Sequence, residues 1–150
     1  MIFLIILTLL LTMPAAGSGE TVPACTVSIS EYTGFGHIWL EIPIDDFNAL
    51  GFEYGDSCDL TFSNGETLKG VPYYNGYYCR TNEPLIVSYP GHEYPSFGFN
   101  NGDPVWEKLG CAEGDTVTVT RAEDGAKAYL SLGGMTETET EQLIRFITAE

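Results

Sequence analysis

Leu50-Gly51-Phe52-Glu53-Tyr54-Gly55-Asp56 runs into Ser57-Cys58-Asp59-Leu60-Thr61-Phe62, and Leu109-Gly110-Cys111-Ala112-Glu113-Gly114-Asp115 runs into Thr116-Val117-Thr118-Val119-Thr120. Both read Leu-Gly-x-x-x-Gly-Asp and then a strand. A shift of 59 positions superposes them and extends the match, with Phe47 on Trp106, Ile38 on Phe97 and Leu40 on Phe99. Each unit reads strand, short helix, Gly-Asp turn, strand, hairpin, strand. One unit alone cannot bury its sheet face, because a lone hairpin is marginal in water. Two units can close a barrel and remove the exposed edges. The predicted fold class is therefore mainly β. It is a small closed β-barrel of two pseudo-repeated strand–helix–Gly-Asp turn–hairpin units, with short helices and a C-terminal helix.

The fixed positions have physical reasons. The Gly after each helix takes a left-handed cap that a Cβ would penalise. In the turns, Gly55 and Gly114 permit a tight bend, and Asp56 and Asp115 can accept hydrogen bonds from nearby backbone N–H groups. All four are read as structural turn residues rather than as a site.

Around the units, Thr26 to Ser30 alternates as a first strand, and His37 to Ile42 as a second with Ile38, Leu40 and Ile42 on one face. Asp45 or Asp46 can cap a short helix carrying Phe47 and Leu50. Asp103-Pro104 reads as an N-cap and first helical residue. Asn64-Gly65 signals a hairpin that leads to a strand near Thr67 to Val71, and Asp124-Gly125 signals its counterpart. Tyr73-Tyr74-Asn75-Gly76-Tyr77-Tyr78 reads as a further hairpin with aromatic arms. Leu85 to Tyr89 and Ser96 to Asn100 read as strands, and Thr138-x-x-Glu141 opens the terminal helix as a capping box.

The charge is one-sided. Six Lys and Arg stand against 21 Asp and Glu, a formal net charge of -15, and no basic side chain precedes Lys69. Such a balance repels nucleic acid and anionic membranes, which need Lys/Arg clusters. It leaves a soluble acidic surface, or one that binds cations or basic peptides.

Residues 1–13 are apolar and uncharged, too short for a comfortable membrane span, and a small, breaker-rich stretch follows. Residues 1–18 are expected to be a signal peptide, or an uncleaved N-terminal anchor, and the protein to be secreted or in the cell envelope. Residues 19–34 form an N-terminal segment with the first strand, 35–132 the barrel domain and 133–150 a helical tail. In an exported chain, Cys25, Cys58, Cys79 and Cys111 suggest two disulfides. Cys58–Cys79 and Cys25–Cys111 are the expected pairs. No two cysteines lie close enough in sequence for a zinc motif, and no metal site is expected.

A family resemblance rests on two further stretches. Phe35-Gly36-His37-Ile38-Trp39-Leu40-Glu41-Ile42 resembles the Phe-Gly-Asn-x-x-Thr-Asn-Ile signature of the S-adenosylmethionine hydroxide adenosyltransferase family, whose relatives include chlorinases and fluorinases. Gly98-Phe99-Asn100-Asn101-Gly102 resembles that family's Ala-x-Asn-x-Gly strand end, which precedes a short helix, Leu-Gly and the Gly-Asp turn. The resemblance covers roughly Phe35 to Thr120 and implies the family's C-terminal β-barrel domain. Where the family's Asn residues help hold substrate, His37 and Glu41 stand here. The catalytic N-terminal α/β domain has no counterpart ahead of Phe35. Family sites lie between that domain and a neighbouring subunit's barrel, so the resemblance implies half a site and argues against an enzyme.

The residues agree in lacking familiar chemistry. There is no Gly-x-Ser-x-Gly nucleophile elbow, no glycine-rich phosphate loop and no EF-hand loop. No cofactor is expected. His37 and His92 are read as structural or solvated. The candidate ligand-binding residues are Tyr73, Tyr74, Asn75, Tyr77, Tyr78, Tyr94, Phe97, Phe99 and Asn100, a set of rings and amides suited to a planar ligand or a peptide, or to packing alone. The expected function is a secreted, non-catalytic binding module for a small aromatic or nucleoside-like ligand or a protein partner. The alternatives are the accessory half of an S-adenosylmethionine-using enzyme with its catalytic domain on another chain, or a structural envelope protein. Nucleic acid is not an expected partner, and an oligomer is allowed.

Overall fold

The computed structural model describes residues 21–32 and 34–122. The expected signal segment, the Asp124-Gly125 hairpin and the C-terminal helix lie outside them. The chain runs β1 (Ala24–Tyr32), β2 (His37–Leu40), α1 (Ile44–Ala49), β3 (Ser57–Phe62), β4 (Thr67–Tyr74), β5 (Pro84–Val87), β6 (Ser96–Phe99), α2 (Val105–Leu109) and β7 (Thr116–Arg121). The strands close a barrel in the order β1-β2-β6-β5-β4-β3-β7. The expected mainly β closed barrel with short helices is what the chain forms.

Inward alternation fills the barrel. Val27, Ile29, Ile38, Leu40, Leu60, Val71, Phe97, Val117 and Val119 belong to one buried cluster, joined by Phe47 and Phe52 stacked at 4.2 Å. The two units of the repeat meet face to face. Ile38 pairs with Phe97 across β2 and β6, and Leu60 with Val119 across β3 and β7.

The Gly-Asp turns are alike in atomic detail. Asp56 Oδ2 accepts the Glu53 N–H at 2.9 Å, and Asp115 Oδ2 accepts the Ala112 N–H at 2.8 Å. In each turn the Asp N–H returns to the same residue's carbonyl at 3.0 Å. Gly55 and Gly114 take φ of +96° and +85°, where a Cβ is strained. The structural reading of all four residues follows this geometry.

Several local expectations are corrected. The helices have six and five residues, and Pro43 and Pro104 hold their N-cap positions without a side-chain cap bond. Asp45 and Asp46 sit in the first turn of α1 instead, where their charge suits the helix dipole. Leu50 is exposed rather than on the buried face with Phe47. The aromatic hairpin after Tyr73 does not form. β4 continues to Tyr74 and pairs in parallel with β5, through Tyr73↔Ile86 and Tyr74↔Val87. Parallel neighbours need a crossover rather than a two-residue turn, and residues 75–83 supply it.

The expected disulfides are also absent, and all four cysteines are free thiols. Cys58 points into the barrel with Val71, whereas Cys79 packs with Leu85 and Val87 in a separate cluster on the outer face. The barrel wall separates them. Cys111 leads into the turn whose Gly114 N–H donates to Ile29 O. Cys25 lies four residues from Ile29 along β1, about 13 Å at a strand's rise per residue. Disulfide-bonded Cα atoms need a spacing under about 7 Å.

Candidate functional site

The crossover 75–83 drapes over the outer face of β5 and β6. Tyr74, Leu85 and Val87 are buried beneath it, and its own Cys79 packs against Leu85 and Val87. Asn100 pins it to the end of β6. Its Nδ2 donates to Cys79 O at 2.7 Å, its N–H donates to Glu83 O at 3.0 Å, and its carbonyl accepts the Asn82 N–H at 2.6 Å. This fixes Tyr77 beside His37, with ring centroids 5.7 Å apart.

His37 is held by a cross-strand partner that has no side chain. Extending the Ile38↔Phe97 register puts His37 opposite Gly98 on the outer face of β2 and β6. A Cβ on Gly98 would collide with the His37 ring. Only glycine leaves the imidazole that space. The ring is 4% exposed, and its Nδ1 is buried with no hydrogen-bond partner among the described residues. Burial lowers the His37 pKa, and the Phe99 backbone beside it opposes the shift. The neutral imidazole is the form that fits this place.

Phe35, His37, Tyr77, Asn100 and Asn101 together line a cleft of about 350 Å³. Phe35 is 67% exposed and Tyr77 38% exposed, so both rings offer free surface. Asn101 adopts a left-handed backbone at φ +47°, uncommon for a residue with a side chain. Burial, with Tyr32 and Tyr89 nearby, raises the Tyr77 pKa, which keeps its phenol neutral. The arrangement offers two aromatic surfaces, a buried neutral imidazole and two amides.

The candidate residues divide sharply. Tyr77 and Asn100 line the cleft. Tyr73, Tyr74, Phe97 and Phe99 are buried and belong to the packing. Tyr73 Oη is consumed by Asn48 Oδ1 at 2.6 Å and Ser88 Oγ at 2.7 Å. Tyr78 packs edge-on against Tyr74 at 6.1 Å. Asn75 and Tyr94 are half-buried and do not line the cleft. Phe35 and His37 were not among the candidates, and Asn101 also lines the cleft. Their signal was present in the outward phase of β2 and in the two stretches that carried the family resemblance. A second hollow, of about 290 Å³, lies beside Lys69, Tyr74, Cys79 and Glu83. Among the described residues no cluster of three or more His, Cys, Asp or Glu could hold a metal ion.

Among solved structures the chain is similar to an uncharacterized conserved protein from Thermotoga maritima, with a TM-score of 0.54 and 20% identity. The likeness covers 63% of this chain and 35% of that one, so the chain spans about a third of that protein's length. At this identity the likeness is one of fold. No protein-family model and no curated protein matches the sequence.

Proposed function

We propose that the chain is a non-catalytic, exported binding module that holds a small planar, nucleoside-like ligand in the cleft between Phe35 and Tyr77. One observation carries the reading. The stretches Phe35 to Ile42 and Gly98 to Gly102 resemble two signatures of the S-adenosylmethionine hydroxide adenosyltransferase barrel, and both contribute to this one cleft although they lie some 60 residues apart. A planar heterocycle can stack on the exposed rings, while its polar edge meets Asn100 and Asn101. The partnerless Nδ1 of His37 supports the reading, since a buried unsatisfied nitrogen costs stability and calls for a functional explanation. Calorimetry against adenosine and S-adenosylmethionine tests the proposal. Saturable heat that Tyr77→Ala abolishes supports it, and no heat from either compound contradicts it.

A second reading is favoured by the length of the matched structure. There the similar barrel belongs to a chain of which 35% is covered. The present barrel would then be the accessory half of an S-adenosylmethionine-using enzyme, completed by a catalytic domain on another chain. Turnover of S-adenosylmethionine by the isolated chain, followed by mass spectrometry, should be absent under both readings. Turnover restored by a partner protein would favour the second.

A further inference from the structure

A ring circuit lies beside the cleft on the outer face of β1 and β2. Tyr32 meets His37 at 6.1 Å, His37 meets Tyr77 at 5.7 Å and Tyr77 meets Tyr89 at 6.2 Å. Tyr89 meets His92 at 5.5 Å, and His92 returns to Tyr32 at 5.5 Å. The circuit is closed. Trp39 is stacked on Tyr32 at 4.0 Å and edge-on to His92 at 5.1 Å. Tyr32 Oη and His92 Nε2 are 3.3 Å apart, which holds one side of the circuit in place.

These rings lie outside the packed interior of the barrel. None of the five belongs to the barrel core or to the outer cluster of Cys79, Leu85 and Val87. Tyr77 and Tyr89 keep 38% and 46% of their surface in solvent. Three separate parts of the chain meet here, with Tyr77 and Tyr89 presenting aromatic surface over the buried His37 and the half-buried Tyr32 and His92.

Ring faces are electronegative and attract a cation within about 6 Å of their centroids. A cation seated against the exposed sides of Tyr77 and Tyr89, whose centroids lie 6.2 Å apart, is within that reach of both rings. The net charge of -15 draws cations toward the whole molecule. Exposed Glu31 and Glu93 flank Tyr32 and His92 in sequence. The chain uses the same chemistry internally, with Lys108 Nζ 3.9 Å over the Phe99 ring, off the circuit. A bare ammonium is strongly hydrated, whereas a methylated one combines positive charge with apolar surface that suits a ring wall. We propose that the circuit of Tyr32, His37, Tyr77, Tyr89 and His92 binds the quaternary ammonium group of a small organic cation. This does not rest on the nucleoside reading, although the two share Tyr77 and His37.

The test titrates the full chain with choline and with its uncharged isostere, the alcohol in which carbon replaces nitrogen. Aromatic proton shifts of Trp39, Tyr89 and His92 are the readout. Choline should shift them saturably, and the isostere should bind about tenfold more weakly. Tyr89→Ala, at an exposed position, should weaken choline severalfold while leaving adenosine binding intact. Equal binding of the isostere, no saturable shift with choline, or an unaffected Tyr89→Ala variant would each overturn the inference. Absence of adenosine heat alongside normal choline binding would count against the cleft reading alone.

Discussion

Ile38 faces Phe97 across the β2–β6 pair, and the two are also equivalent residues of the repeat. The same holds for Leu60 and Val119 across β3 and β7, again 59 positions apart. Two antiparallel pairings that each centre on an equivalent pair define one pseudo-twofold relation between the units. The matched Gly-Asp turns follow from it, because each turn feeds one of the two central strands. The cleft obeys no such symmetry. It uses the crossover 75–83, which comes between the units.

The turns should be scaffold. Asp115→Ala removes the acceptor for the Ala112 N–H, and Asp56→Ala the acceptor for the Glu53 N–H. Each should cost about 1 kcal/mol and lower the melting temperature by a few degrees, with adenosine affinity unchanged. An unaltered melting temperature by differential scanning calorimetry would contradict the structural assignment.

Gly98 and His37 should be energetically coupled. Gly98→Ala places a Cβ against the imidazole, and overpacking of this kind costs about 1 to 3 kcal/mol. Removing the ring as well should restore part of the loss. A double-mutant cycle with His37→Ala should therefore show clear non-additivity, and simple additivity would mean the two do not touch.

The sequence made the repeat legible because Gly-Asp, Leu-Gly and the inward apolar phase are local signals that recur at one spacing. The crossover was not legible. Asn75-Gly76 between tyrosine pairs imitates a hairpin, and nothing local marks Tyr73 and Tyr74 as the end of a strand with a parallel neighbour. The burial of Tyr73 and Tyr74 was hidden for the same reason, since a Tyr pair on β4 alternates between the barrel interior and the covered outer face. Likewise, Cys58 and Cys79 look adjacent in sequence order, but strand alternation sends them to opposite sides of the wall. His37 alternates with the inward Ile38 and Leu40 along β2 and so points outward. Its burial depends on Gly98 and Tyr77, both distant in sequence.

Stability should depend on pH through His37. Its pKa is lowered in the fold by burial, so the unfolded chain takes up a proton near its ordinary value of about 6.5 that the folded chain resists. The contribution is fully present above that value and is lost as pH falls toward the folded value. Melting temperature should decline as pH falls below about 6.5, and His37→Gln should flatten that decline. An equal slope in the variant would locate the effect elsewhere.

The thiols should be free and unreactive. Burial raises Cys25 and Cys79 to about 11, so little nucleophilic thiolate exists at neutral pH. Reductant should leave the melting temperature unchanged, and all four cysteines should titrate with a thiol reagent in denaturant. A melting temperature that drops under reductant would restore the disulfide reading.

The central claim is that Phe35, Tyr77, Asn100 and Asn101 form one ligand site. A crystal structure of the chain grown with saturating adenosine tests it most directly. Purine density between Phe35 and Tyr77, with the ring edge toward the two amides, is the expected result. A cleft without purine at saturation, or purine bound elsewhere on the barrel, would contradict it.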